Sequence, residues 1–89
     1  MVTVRLATPL RKFSQGKPEI EAKGKTLREV ILNIDSSSPG FAERILENNE
    51  IKRFVNIYVN NQDVRMGDGL DTKVDEKDVI SILPAVSGG

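Results

Sequence analysis

The chain has 89 residues, enough for one domain with one core. Thirteen Lys/Arg balance thirteen Asp/Glu, and three Phe and one Tyr are the only aromatics, so the chain lacks both the basic footprint and the stacking platform of a nucleic-acid binder. It has no Cys and no His, which removes disulfides, thiol nucleophiles, Cys/His zinc sites and the usual neutral-pH base.

Val2, Val4 and Leu6 alternate with Thr3, Arg5 and Ala7, the pattern of a strand with one buried face. No long apolar run occurs here, so neither a signal peptide nor a membrane span is expected and the cytoplasm is the expected location. "TPLRKFSQGKP", with Pro9, Gly16 and Pro18, reads as a long hairpin connection. "EIEAKG" is a polar strand with Ile20 and Ala22 on one side. Its charges and nearby proline suit a sheet edge.

"TLREVILNI" predicts a helix. Thr26 and Glu29 make a capping-box pattern, and Leu27, Val30, Ile31 and Ile34 form one apolar stripe. "DSSSPG" is expected to end it, and "FAERILE" to form a short second helix with Phe41 and Ile45 inward. "RFVNIYVN" is the strongest strand: Val55, Ile57 and Val59 point one way, and Phe54, Asn56, Tyr58 and Asn60 the other. "NNQD" supplies a turn, with a short return strand expected at Val64–Met66. "GDGLDTKVDEKD" reads as a loop anchored by Leu70 and Val74. "VISILP" is the last strand, apolar on both faces and therefore expected at the centre of the sheet.

This order predicts an α+β fold, with a mixed sheet and one main helix packed on one face. First and last strands as a parallel central pair make the ubiquitin-like β-grasp. The ferredoxin-like alternative needs two full helices. The expected organisation is a β-grasp domain over 1–84 and a flexible tail over 85–89 ending in Gly-Gly.

With the tail included, "GKTLREVI", "FVNIYVNNQDVR" and "ILPAVSGG" give the chain a resemblance to the MoaD/ThiS family of ubiquitin-like sulfur carriers over essentially its whole length. Ala85 stands where many molybdopterin-synthase small subunits have a second proline, and the pattern looks more like the carrier serving cysteine synthesis. The resemblance implies that a ubiquitin-activating-type adenylating and sulfurtransferase partner uses ATP to adenylate the carboxylate of Gly89. Sulfide or a persulfide then displaces AMP and leaves a thiocarboxylate. The carrier would bind no cofactor and would be a co-substrate, not an enzyme. The acceptor would be a cysteine synthase or the large subunit of molybdopterin synthase. A protein modifier joined through Gly89 to lysines is the other reading, since both begin with the acyl-adenylate.

The residue types suit that chemistry. Gly88 and Gly89 have no side chain to block a narrow channel. Pro84 stiffens the exit from the sheet, and Ala85, Val86 and Ser87 complete the segment offered to a partner. The outward Phe54 and Tyr58 are candidate contacts, because exposed apolar patches often mark protein interfaces. Arg5, Arg11, Lys12, Lys23, Lys25 and Arg28 read as a solvated surface before a docking face. The acidic residues from Asp68 to Asp78 lack EF-hand spacing, so neither this loop nor any other segment is read as a metal site. Without His, Cys or a phosphate-binding loop, independent catalysis is not expected, and neither nucleic acid nor membrane is an expected partner.

Overall fold

The computed structural model describes residues 1–84. Strand β1 (Val2–Leu6) buries Val2, Val4 and Leu6 and leaves Arg5 exposed, as the alternation requires. The connection that follows is more ordered than a hairpin loop. Thr8–Ser14 winds into a 3₁₀ helix with a proline in its first turn, which buries Leu10. Phe13 meets Phe41 edge to face at 5.4 Å. The Ser14 hydroxyl is buried within hydrogen-bond reach of the Arg11 and Lys17 carbonyls. Strand β2 (Glu19–Ala22) then pairs antiparallel with β1, Val4 opposite Ile20.

Helix α1 (Leu27–Ser37) puts Leu27, Val30, Ile31 and Ile34 into the core. Its cap is a shifted form of the expected box. Thr26 Oγ1 accepts the Glu29 N–H at 3.2 Å, but Glu29 Oε1 takes the N–H of Lys25, at 3.1 Å, instead of that of Thr26. The chain approaches the helix closely at Gly24, where φ is +154° and a Cβ would lie 2.6 Å from Val30 Cγ2. The expected stop after Ile34 is corrected by three residues. Asp35, Ser36 and Ser37 stay helical, the Ser38 N–H bonds Ile34 O at 2.7 Å, and the Ser38 hydroxyl bonds Phe13 O at 2.9 Å. Asp35 Oδ1 accepts the N–H groups of Gly40 and Ala42, so this carboxylate holds the start of α2 (Phe41–Ile45).

A hairpin that the sequence reading omits follows: β3 (Leu46–Glu47) against β4 (Glu50–Ile51), turned by Asn48 and Asn49 at φ 53° and 64°. Asn60 and Asn61, at φ 52° and 71°, repeat the device between β5 (Val55–Val59) and β6 (Gln62–Asp63). A two-residue turn starts the return strand at Gln62, not at Val64. Val64–Met66 instead forms a 3₁₀ turn, with Asp63 Oδ1 accepting the Arg65 N–H at 2.9 Å. A second 3₁₀ turn, Gly69–Asp71, buries Leu70, and Val74 is buried beyond it.

Strand β7 (Val79–Pro84) completes a sheet in the order β2-β1-β7-β5-β6. It is parallel to β1, with Leu6 opposite Ile82, and antiparallel to β5. This is the β-grasp. β7 is central, as expected, but its apolar residues on two faces do not mean two covered faces. Ile80 and Ile82 are fully buried under α1, whereas Leu83 points outward and is 40% exposed. Among the described residues no helix is long and apolar enough to cross a membrane.

Ile31 has no exposed surface. Replacing it with Ala is expected to cost about 2–5 kcal/mol in chemical denaturation, from lost burial and the cavity left behind. A cost near zero would remove Ile31 from the core.

Candidate functional site

The candidate site lies where β7 leaves the sheet. The partner β1 ends at Leu6, opposite Ile82, and the Ala7 N–H makes a last bond to Ile82 O at 3.2 Å. On the other side the pairing runs to Val55 opposite Pro84. Pro84 has no N–H to give, and the Val55 N–H is turned to Lys52 O at 3.0 Å. At this last described pair neither residue donates to the other. Pro84 is thus the last described position of the central strand, opposite Val55.

The outer sheet face carries three apolar or aromatic side chains. Phe54, in the turn before β5, is 59% exposed; Leu83 stands outward opposite Asn56, and Tyr58 is half-buried opposite Ser81. Arg5, Arg11, Tyr58, Asn61, Ser81 and Leu83 share a shallow depression on this surface. The Arg53 guanidinium lies over the Phe54 ring, 5.9 Å from its centre. Arg65 clamps the segment before β5. It donates from Nη2 to the carbonyls of Lys52 and Val55, each at 2.6 Å, and from Nη1 to Asn56 Oδ1 at 3.1 Å. Phe54 is thus presented by a fixed backbone, not by a loose loop.

Of the residues singled out from the sequence, Pro84 and Phe54 fall at this end of the sheet, whereas Tyr58 lies opposite Ser81, toward the start of β7. Ala85, Val86, Ser87, Gly88 and Gly89 lie outside the described residues. The six basic residues read as a surface do not share a face. Arg5 and Arg11 reach the outer depression, with Arg5 Nε 2.8 Å from Glu19 Oε2. Lys23 borders a groove between β2 and α1, and Arg28 pairs with Asp71 at 3.4 Å. Sequence reasoning missed Arg53, Arg65 and Leu83 as parts of the site. The alternation of "VISILP" does give the facing of Leu83. Among the described residues no group of three or more Asp or Glu side chains is placed to hold a metal ion.

The sequence pattern of the ThiS family matches residues 4–89. The sulfur carrier protein CysO of Mycobacterium tuberculosis is 42% identical over 91 residues, an alignment covering 99% of this chain and 98% of that protein. In the crystal structure of the Amycolatopsis orientalis BexX/CysO complex, a chain 42% identical superposes with a TM-score of 0.93 over 100% of both chains. The small archaeal modifier protein 1 of Methanosarcina acetivorans is 32% identical, with a TM-score of 0.85 over 99% of this chain and 95% of its own.

Two substitutions separate the scaffold of this face from its contact surface. Arg65→Ala is expected to lower stability by about 1–2 kcal/mol, because two carbonyls lose a charged donor. Phe54→Ala is expected to stay within about 0.5 kcal/mol of the native protein, since its ring is mostly exposed. Urea titration of both reads the difference, and equal losses would contradict the division.

Proposed function

The chain belongs to the ThiS family, and from that membership we propose that it is a sulfur carrier whose Gly89 carboxylate holds the sulfur. The observation that carries this reading is a family match that runs through Gly89. The likeness to a named sulfur carrier over nearly its full length supports it.

On a ubiquitin-activating-type partner, a Gly89 carboxylate oxygen attacks the α-phosphorus of ATP. The bond to pyrophosphate breaks and an acyl-adenylate forms. Hydrosulfide then attacks the acyl carbon and AMP leaves, giving a terminal thiocarboxylate. A persulfide donor reaches the same product once a thiol cleaves its S–S bond. ATP is the partner's substrate, and the carrier is a co-substrate with the chemistry held elsewhere. The absence of Cys and His in this chain fits that role. Glycines at 88 and 89 suit entry into a narrow nucleotide site, since neither adds a Cβ.

The acceptor we favour is a cysteine synthase acting on an O-activated serine. Ala85 in place of a second proline and the likeness to CysO support it over the large subunit of molybdopterin synthase. Conjugation to proteins through Gly89 is the second reading, favoured by the likeness to a small archaeal modifier protein. It shares the adenylation step and differs only in the nucleophile that follows.

Adding one residue after Gly89 is expected to slow thiocarboxylate formation by about a hundredfold or more, because the carboxyl leaves its attack position. Gly88→Val is expected to do the same by filling the channel. Removing Gly88 and Gly89 should leave the melting temperature unchanged. The assay is ATP-dependent charging with the adenylating enzyme and sulfide, read by intact mass. An untrimmed, extended chain charging at the native rate would rule out Gly89 as the sulfur-bearing residue.

A further inference from the structure

We propose that the free edge of β2 is a docking site for an extended segment of a partner protein, which adds to the sheet as a strand, apolar on the side facing α1 and acidic at both ends. The inference goes beyond the carrier reading and does not depend on it. The sheet has two edges. At one of them β6 is short, two residues followed at once by a 3₁₀ turn. At the other, β2 has four residues. The Leu6 N–H donates to Pro18 O at 2.9 Å, one pair beyond the strand register that sets Val4 opposite Ile20. Bonded and non-bonded pairs alternate along an antiparallel ladder, so Leu6/Pro18, Val4/Ile20 and Val2/Ala22 are the bonded ones. The N–H and C=O groups of Glu19 and Glu21 therefore point away from β1, to the open side. Pro18, with no N–H, bounds this run at one end. At the other end the Lys23 carbonyl accepts Asn33 Nδ2 at 2.7 Å.

Hollows flank the edge on both sides. Toward α1 it borders a groove that includes Phe13, Ile20, Ala22 and Ile34. On the outer side a second hollow lies beside Thr3, Glu19 and Glu21, and Lys17 borders both. The exposed charges run Lys17, Glu19, Glu21, Lys23 at alternate positions. Glu19 is paired with Arg5, while Lys17, Glu21 and Lys23 have no ion-pair partner among the described residues. This order disfavours a second copy as the occupant. Two copies related by a two-fold through Glu19, Ile20 or Glu21 set Glu opposite Glu, and a register further along needs the Lys23 carbonyl that Asn33 holds. A foreign strand with acids opposite Lys17 and Lys23, a base opposite Glu21 and apolar residues over the groove meets complementary charge and four open main-chain groups. Because β1 alone separates β2 from β7, such a partner leaves the end of β7 open.

The test uses the full chain, isotope-labelled for NMR, and two synthetic peptides with capped ends. Asp-Val-Lys-Ile-Lys-Val-Asp is the complement of the edge. Lys-Val-Asp-Ile-Asp-Val-Lys has the same composition and net charge in the edge's own order. The complement is expected to bind saturably, to shift signals of residues 17–23 and the groove, and to slow amide exchange of Glu19 and Glu21 about tenfold or more at saturation. The second peptide is expected to bind about tenfold more weakly. A complement methylated on both lysine main-chain nitrogens should lose binding, because it cannot donate to the Glu19 and Glu21 carbonyls. Glu21→Lys with Lys23→Glu, both exposed positions, should abolish the preference between the two peptides. No saturable shift up to about 5 mM complement overturns the inference. Equal binding of the two peptides, or of the methylated one, also overturns it, as do shifts centred on Tyr58 and Leu83. Self-association through residues 19–23 without peptide would assign the edge to a second copy and overturn it too. None of these outcomes bears on charging of Gly89, which is read separately by mass.

Discussion

The parallel contact between β1 and β7 is the constraint on which the rest of the molecule depends. It joins the two ends of the chain in the middle of the sheet, Val4 beside Ile80 and Leu6 beside Ile82, all buried. Parallel strands cannot be joined by a tight turn, so everything between them must serve as a crossover. Helix α1 does this while placing its stripe over the pair, and β5 closes the free side of β7. One consequence is thermodynamic: the core forms only when residues more than seventy positions apart meet, a costly loop to close. The other is functional. The strand held on both sides is described to Pro84, so whatever follows is joined to the central strand of the sheet.

The same sheet divides the labour between its faces. The inner face is apolar and covered, and it supplies the stability. Among the described residues no helix covers the outer face, and its residues are not needed to fill a core. It can therefore combine exposed apolar side chains with a clamp by Arg65 on two backbone carbonyls without disturbing the packing beneath. In a carrier, such a separation lets the surface seen by partner enzymes change while the fold stays fixed.

Much of this was legible in the sequence. Alternation in Val2–Leu6 and Val55–Val59, the Leu27–Ile34 stripe and the apolar "VISILP" sufficed for the fold and for the face that Tyr58 occupies. Other features were hidden for identifiable reasons. Asn48-Asn49 turns a hairpin whose strands are two residues each, too short for periodicity to register. The serines after Ile34 remain helical because Ser38 reaches Phe13 and Asp35 caps α2, contacts that no local propensity contains. The outer depression gathers Arg5, Arg11, Tyr58 and Leu83, which only the folded sheet brings together.

The account stands most directly on the chemical state of Gly89. The decisive measurement is intact and fragment mass of the chain isolated from its own host under sulfur-replete growth. The account predicts a population in which one carboxylate oxygen is replaced by sulfur, with the change confined to the fragment containing Gly89. A terminus found only as free carboxylate or only in amide linkage to lysines of other proteins would contradict it.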